Sequence, residues 1–189
     1  YDARPVLEVA LDFRGLKMDS AQGVAIRQRL LAAAQALPGI SGATRINSRP
    51  FSTNTAELRV EGIDSVQALG RFNFQLISPS YFDVMQTRIL RGRVPTDADR
   101  DGTPLVAVVS EAMGRALWPG RDPLGQCMHV GLGEHPEATS RECTTVVGIA
   151  RMRGPPETNA GISRVTVPLW QLSESTRMRT PDLNLPQSS

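Results

Sequence analysis

Apolar and polar positions alternate through Val6–Phe13 (VLEVALDF), which predicts a strand with Val6, Val9, Leu11 and Phe13 available for burial. The pattern then lengthens to helical spacing. Asp19 or Ser20 is placed to cap a helix running to about Leu37, with Ile26, Leu30, Ala33 or Ala34, and Leu37 as its inward stripe. Pro38-Gly39 ends that helix, and Ile40–Ser48 is expected to return as a second strand. A strand–helix–strand unit of this kind cannot cover both faces of its own sheet. The polar stretch Arg49–Thr55 reads as a crossing into a second region.

Beyond it, Leu58–Gly62 and Phe72–Ile77 have strand character. Ser78 is predicted as an N-cap with Pro79 at the first helical position, where its missing N–H costs nothing, and Tyr81, Phe82 and Met85 would anchor the short helix. Asp97–Gly102 (DADRDG) reads as a solvated acidic turn. Leu105–Val109 is an uninterrupted apolar run, the mark of a buried strand. Ser110 should cap a further helix with Met113, Ala116, Leu117 and Trp118 on its apolar side, stopped by Pro119-Gly120. After the turn RDPLG, Cys127–Val130 and Thr144–Ala150 suggest a hairpin with a long polar tip. Arg151–Ser163 is a Gly- and Pro-containing loop, and Val165–Leu172 is the last strand. Ser173–Ser189 has few apolar residues and two prolines, so a disordered tail or a fragment of a missing element is expected there.

Length and composition place the chain among ordinary globular proteins. Its 189 residues suffice for one sizeable core or two small subdomains, and 40% hydrophobic with 21% charged residues is not a disordered composition. The net charge is +2, and every basic residue except Lys17 is an arginine. The arginines are scattered among acids, which argues against a nucleic-acid surface. No run approaches the roughly 18 apolar residues of a membrane-spanning helix, and no signal-peptide pattern is present. The piece is expected to be soluble as given. A start at Tyr1 rather than Met suggests a segment cut from something longer.

The inventory for chemistry is thin. The only lysine lies in GLKMDS, so it cannot follow the phosphate-cradling glycines of a nucleotide loop or form a Schiff base in a built pocket. Gly39-Ile40-Ser41-Gly42 lacks the spacing of a nucleophile elbow, and Gly131-Leu132-Gly133 reads as a hairpin tip. Cys127, His129, His135 and Cys143 could in principle hold a tetrahedral zinc ion, since all four residue types ligate it. Against that, Cys127 and His129 point to one strand face while the other two sit on or beside the tip. Cysteines at matched ends of a hairpin can reach disulfide separation, so a bond is the expected state, with two free thiols or a metal as alternatives. Asp97, Asp99, Asp101 and Glu111 are the candidates for an acid/base set, but a turn and a helix start favour solvation and dipole complementarity. Tyr81, Phe82, Trp118 and Trp170 fit core packing better than ligand stacking. The arginines of Thr87–Arg93 fit a solvated strand edge better than an anion clamp.

Four blocks in order, SPSYFDVMQTRILRGR, VAVVSEAMGRALWPGRDPLGQ, TTVVGIARMRG and VTVPLWQL, resemble the MacB-like periplasmic core domain of MacB/FtsX-type ABC transporter permeases. The match runs over roughly Val6–Leu172. Its most discriminating pieces are Ser78, Pro79, Tyr81 and Phe82, then Trp118, Pro119, Gly120, Pro123 and Gly125. A cysteine on each side of the hairpin loop is similar to orphan permeases that carry two such modules and no fused ATPase.

The resemblance implies an α+β fold. A Porter-like strand–helix–strand subdomain, its second half truncated, would occupy residues 1–55, with an inserted mixed β/α Sabre-like subdomain at 56–160. Residues 161–172 would return to the Porter-like half, and 173–189 would be the tail. The family continues after this last strand with a helix and strand that Ser173–Ser189 do not resemble. The implied function is mechanotransmission at the periplasmic face of the cytoplasmic membrane, coupling cytoplasmic ATP hydrolysis to export or force transmission. The domain would perform no reaction and need no cofactor. Implied partners are the transmembrane helices of the same permease, a cytoplasmic ABC ATPase, a second permease copy in a dimer and a periplasmic adaptor, with no nucleic acid. A secreted hydrolase or metal-dependent enzyme, or a free-standing periplasmic binding or adaptor module, stands as the alternative.

Overall fold

The apolar run at Leu105–Val109 lies inside a seven-stranded sheet. The structure, a computed structural model, describes residues 6–13, 15, 17–47, 56–100, 102–132, 142–152 and 164–168. In chain order the elements are α1 (Ser20–Gln35), β1 (Ala56–Arg59), β2 (Asn73–Ile77), α2 (Tyr81–Val84), β3 (Ile89–Gly92), β4 (Leu105–Ser110), α3 (Glu111–Leu117), β5 (Cys127–Leu132), β6 (Thr144–Ala150) and β7 (Arg164–Pro168). The strands run in the order β1-β5-β6-β4-β7-β2, with β3 also on β6. β4 is parallel to β6 and antiparallel to β7, while β7 is parallel to β2.

Both faces of β4 are covered, which is why its sequence does not alternate. Ala107 and Val109 belong to a core with Met113, Leu117 and Trp118 of the α3 layer. Val108 lies in a second core with Tyr81, Phe82 and Met85 around α2. Val108, Val109 and Met113 have no exposed surface, and each such side chain contributes roughly 1.5–3 kcal/mol by leaving water. Ser110 caps α3 as its position predicts, its Oγ accepting from the Met113 N–H at 3.2 Å.

The amino-terminal region departs from expectation. Its helix forms, capped by Asp19: Oδ1 accepts from the Gln22 N–H (2.7 Å), and the Gln22 side chain accepts from the Asp19 N–H (3.1 Å). It ends at Gln35, however, and the expected inward residues Leu30 and Leu37 are 42% and 57% exposed. Val6–Phe13 pairs with no strand among the described residues, leaving Leu7 80% and Val9 70% exposed. Ile40–Ser48 supplies a single bridge, Ile46 to Ile77, rather than a strand. Alternation marks a face, but a strand also requires a neighbour for its backbone groups. Here Phe13 is half-buried under the Arg27 guanidinium (4.9 Å to the ring centre) and Val6 reaches the second core.

The predicted hairpin is also only partly a hairpin. β5 pairs with β6 at Cys127 and Met128, then turns to β1 from His129 to Leu132. Gly131 and Leu132, expected at a tip, are strand residues opposite Glu57 and Ala56. Within Val165–Leu172 the described strand is Arg164–Pro168. Trp170, His135, Asp101, Gly133, the stretch 153–163 and Ser173–Ser189 lie outside the described residues.

Candidate functional site

The Ser78–Phe82 block is a corner between β2 and α2. Ser78 does not cap the helix; that position falls to Ser80, whose side chain makes no cap bond. The Ser78 hydroxyl is engaged elsewhere, accepting from the Arg45 N–H at 2.9 Å and sharing a 2.8 Å bond with Thr44 Oγ1. Its N–H donates to the Arg45 carbonyl (3.0 Å), and Ser80 Oγ donates to the Ala43 carbonyl (2.9 Å). Pro79 and Ser80 form the turn, closed by the Tyr81 N–H on the Ser78 carbonyl. Tyr81 and Phe82 pack edge to face, centroids 5.3 Å apart, and are buried. The Tyr81 hydroxyl donates to the buried Gln75 amide oxygen at 3.0 Å, so its polar tip is satisfied inside the core.

The block from Trp118 to Gly125 turns the chain from α3 toward β5. Trp118 is buried, and its carbonyl accepts from the Arg121 N–H (3.1 Å). Gly120 and Gly125 hold φ of +73° and +76°, values that side chains disfavour. Pro123 packs on Gly114 so closely that an added Cβ there would lie 2.9 Å from its ring. Asp122 organises the turn by accepting from the Leu124 N–H (3.1 Å) and from Arg91 Nη2 (2.6 Å). The Arg91 bond and then the Leu124 N–H hold its carboxyl below the usual carboxylate range.

Cys127 and Cys143 are bonded to each other, with Cα atoms 5.5 Å apart. Beside them His129 Nδ1 lies 3.2 Å from the Glu142 carbonyl. Among the described residues no group of three or more His, Cys, Asp or Glu side chains gathers as a metal site.

The carboxylates do not form one set. Asp97 is exposed in its turn, and Glu111 pairs with Arg115 at 3.1 Å one helical turn on. Asp99 departs from the expected solvated turn. It is 8% exposed, gripped by Arg93 and bonded to the Thr96 N–H. The bond to Arg93 pulls its carboxyl below the usual range against the opposing effect of burial, and the same bond raises the Arg93 guanidinium. Two of the three arginines of the 87–93 segment pair with acids, Arg91 with Asp122 and Arg93 with Asp99. Sequence reasoning missed three buried or partly buried polar contacts: Arg93–Asp99, Tyr81–Gln75, and the Thr166 hydroxyl donating to the Val108 carbonyl at 2.9 Å. Only the first had a signal, an acid six residues from an arginine across a Pro-containing turn.

No helix among the described residues is long and apolar enough to cross a membrane. The family described as "MacB-like periplasmic core domain" matches residues 8–185. Three solved structures are similar in fold. The periplasmic region of MacB from Actinobacillus actinomycetemcomitans is 19% identical, with a TM-score of 0.45 over 73% of this chain and 52% of that one. The extracellular domain of the noncanonic ABC-type transporter YknZ from Gram-positive bacteria gives 18%, 0.49, 75% and 61% in the same terms. A domain of a Porphyromonas gingivalis protein described as a permease gives 18%, 0.50, 77% and 58%, a likeness of fold alone. The chain thus spans between 52% and 61% of these relatives' length. No curated protein matches it. With nearly its whole length covered by one family description, the chain belongs to the family of MacB-like periplasmic core domains.

Proposed function

We propose that this domain is a mechanical element of its permease, moved by ATP hydrolysis on the far side of the membrane, with no reaction of its own. The observation that carries the reading is the family match over residues 8–185. The chemistry of the site agrees with it. Asp99, Asp122 and Glu111 are held by arginines, and the hydroxyls of Ser78 and Ser80 join the α1 region to the sheet. In this reading the partners are the membrane helices of the same permease, a cytoplasmic ATPase, a second permease copy and a periplasmic adaptor. On the same reading residues 1–55 act as a Porter-like half and 56–160 as a Sabre-like half, while β7, expected to return to the first half, pairs with β4 and β2.

The test uses the full permease reconstituted with its ATPase. A spin label at exposed Gln28, introduced as Gln28→Cys, reports the distance between copies once any cysteine outside this chain is replaced by serine, since Cys127 and Cys143 are bonded to each other. That distance is expected to change when ATP replaces ADP. A distribution indifferent to the nucleotide defeats the coupling, and nucleotide turnover by the isolated chain defeats the absence of catalysis.

A further inference from the structure

Three arginines from different parts of the fold converge beside α3. Arg91 comes from β3, Arg115 from the last turn of α3, and Arg121 from the turn that follows. They border a cleft of about 500 Å³ with Leu90, Trp118 and Pro123 among its apolar walls. Two of them already have acid partners, both open to water. Arg91 and Asp122 side chains are 54% and 50% exposed, and Arg115 and Glu111 are 69% and 45% exposed. Ion pairs so exposed hold little net energy. Arg121 donates to the neutral amide of Gln126 at 3.2 Å. Among the described residues bordering the cleft and their ion-pair partners, three cations therefore face two anions.

We propose that this cleft docks an acidic peptide segment of an extracytoplasmic partner. Arg115 and Arg121 would take its carboxylates, and an apolar side chain would rest against Pro119 and Pro123. Guanidinium forks match carboxylates in two-bond geometry. A membrane surface is the weaker match, because attraction to anionic lipid takes about four to eight clustered basic residues. The proposal is independent of ATP coupling, since a peptide can dock whether or not the domain moves.

The test is amide-shift mapping on the isotope-labelled chain with the end-blocked peptide GDELDG and its neutral counterpart GNQLNG. Shifts are expected at Arg91 and along Gly114–Gln126 with the acidic peptide alone, fading as salt rises. The double variant R115Q/R121Q, altered at two exposed positions, should keep the fold and weaken binding roughly tenfold. Four results would each overturn the proposal: no shifts at these residues, equal binding of the neutral peptide, undiminished binding by the double variant, or response to phosphatidylglycerol vesicles without response to the peptide.

Discussion

Arg93 holds Asp99 through two guanidinium bonds of 2.7 Å, one to each carboxylate oxygen. Asp99 Oδ2 also accepts from the Thr96 N–H at 2.7 Å, so one side chain fastens the connection between β3 and β4 at two points. The arginine is half exposed while the carboxylate is nearly buried. Removing the acid is therefore the more damaging change, since it leaves the Thr96 amide without its acceptor.

Asp99→Asn should destabilise the domain by about 1–3 kcal/mol, the scale of a hydrogen bond to a charged group. The sign with pH follows from the lowered carboxyl. Stability from this pair is fully present above the unfolded value near 3.9 and is lost as pH falls through the lower folded value. Denaturant melts of wild type and Asp99→Asn should thus converge in strong acid and diverge above about pH 4. A constant gap across that range would refute the assignment.

Val108→Asp should abolish folding. The side chain has no exposed surface and sits among Ile77, Tyr81, Phe82 and Met85. An unpaired carboxylate there has nothing to offset its lost hydration. Circular dichroism decides the matter, and a native melting profile would show that the core is wrongly placed.

At Gly148 the neighbour is backbone. An added Cβ would collide with the Arg93 carbonyl, and Val108 lies 3.1 Å away. Gly148→Ala should cost about 1–3 kcal/mol through overpacking. Gly92→Ala should cost more, because φ is +77° there and the Val147 carbonyl also blocks the space. The ranking of the two unfolding midpoints checks this.

Reducing the Cys127–Cys143 bond, or replacing both residues by serine, should lower stability by about 2–3 kcal/mol without altering the fold. Thiol labelling of the unreduced, denatured protein is the direct measurement. Two freely reacting thiols in material folded under oxidising conditions would exclude the bond.

The parts legible in the sequence were those governed by local rules. Ser110 as a cap, the unbroken run of β4, and burial of Tyr81, Phe82, Met85 and Trp118 all follow from spacing and cap chemistry. Features set by distant partners were not legible. Ser78 looks like a cap until Arg45 and Thr44 are brought beside it, and Val9 looks like a core residue although no strand among the described residues covers it. The change of β5's partner from β6 to β1 has no trace in its own residues, because it depends on which distant strand lies alongside. The cleft beside α3 joins residues 91 to 121, a proximity that only the β3–β6 pairing and the turn after α3 create.

The place of β7 bears on the order in which the molecule assembles. It is the last of the described strands in sequence, yet it sits between β4 and β2, joining Thr166 to Val108 and Gln75. Until residue 168 is available, both neighbours carry open edges, and the path between them cannot close. Pairing over such sequence separations is intrinsically slow, and open edges invite association with other chains meanwhile. Synthesis from the amino terminus therefore leaves β2 apart from the rest of the sheet until β7 arrives to join it to β4.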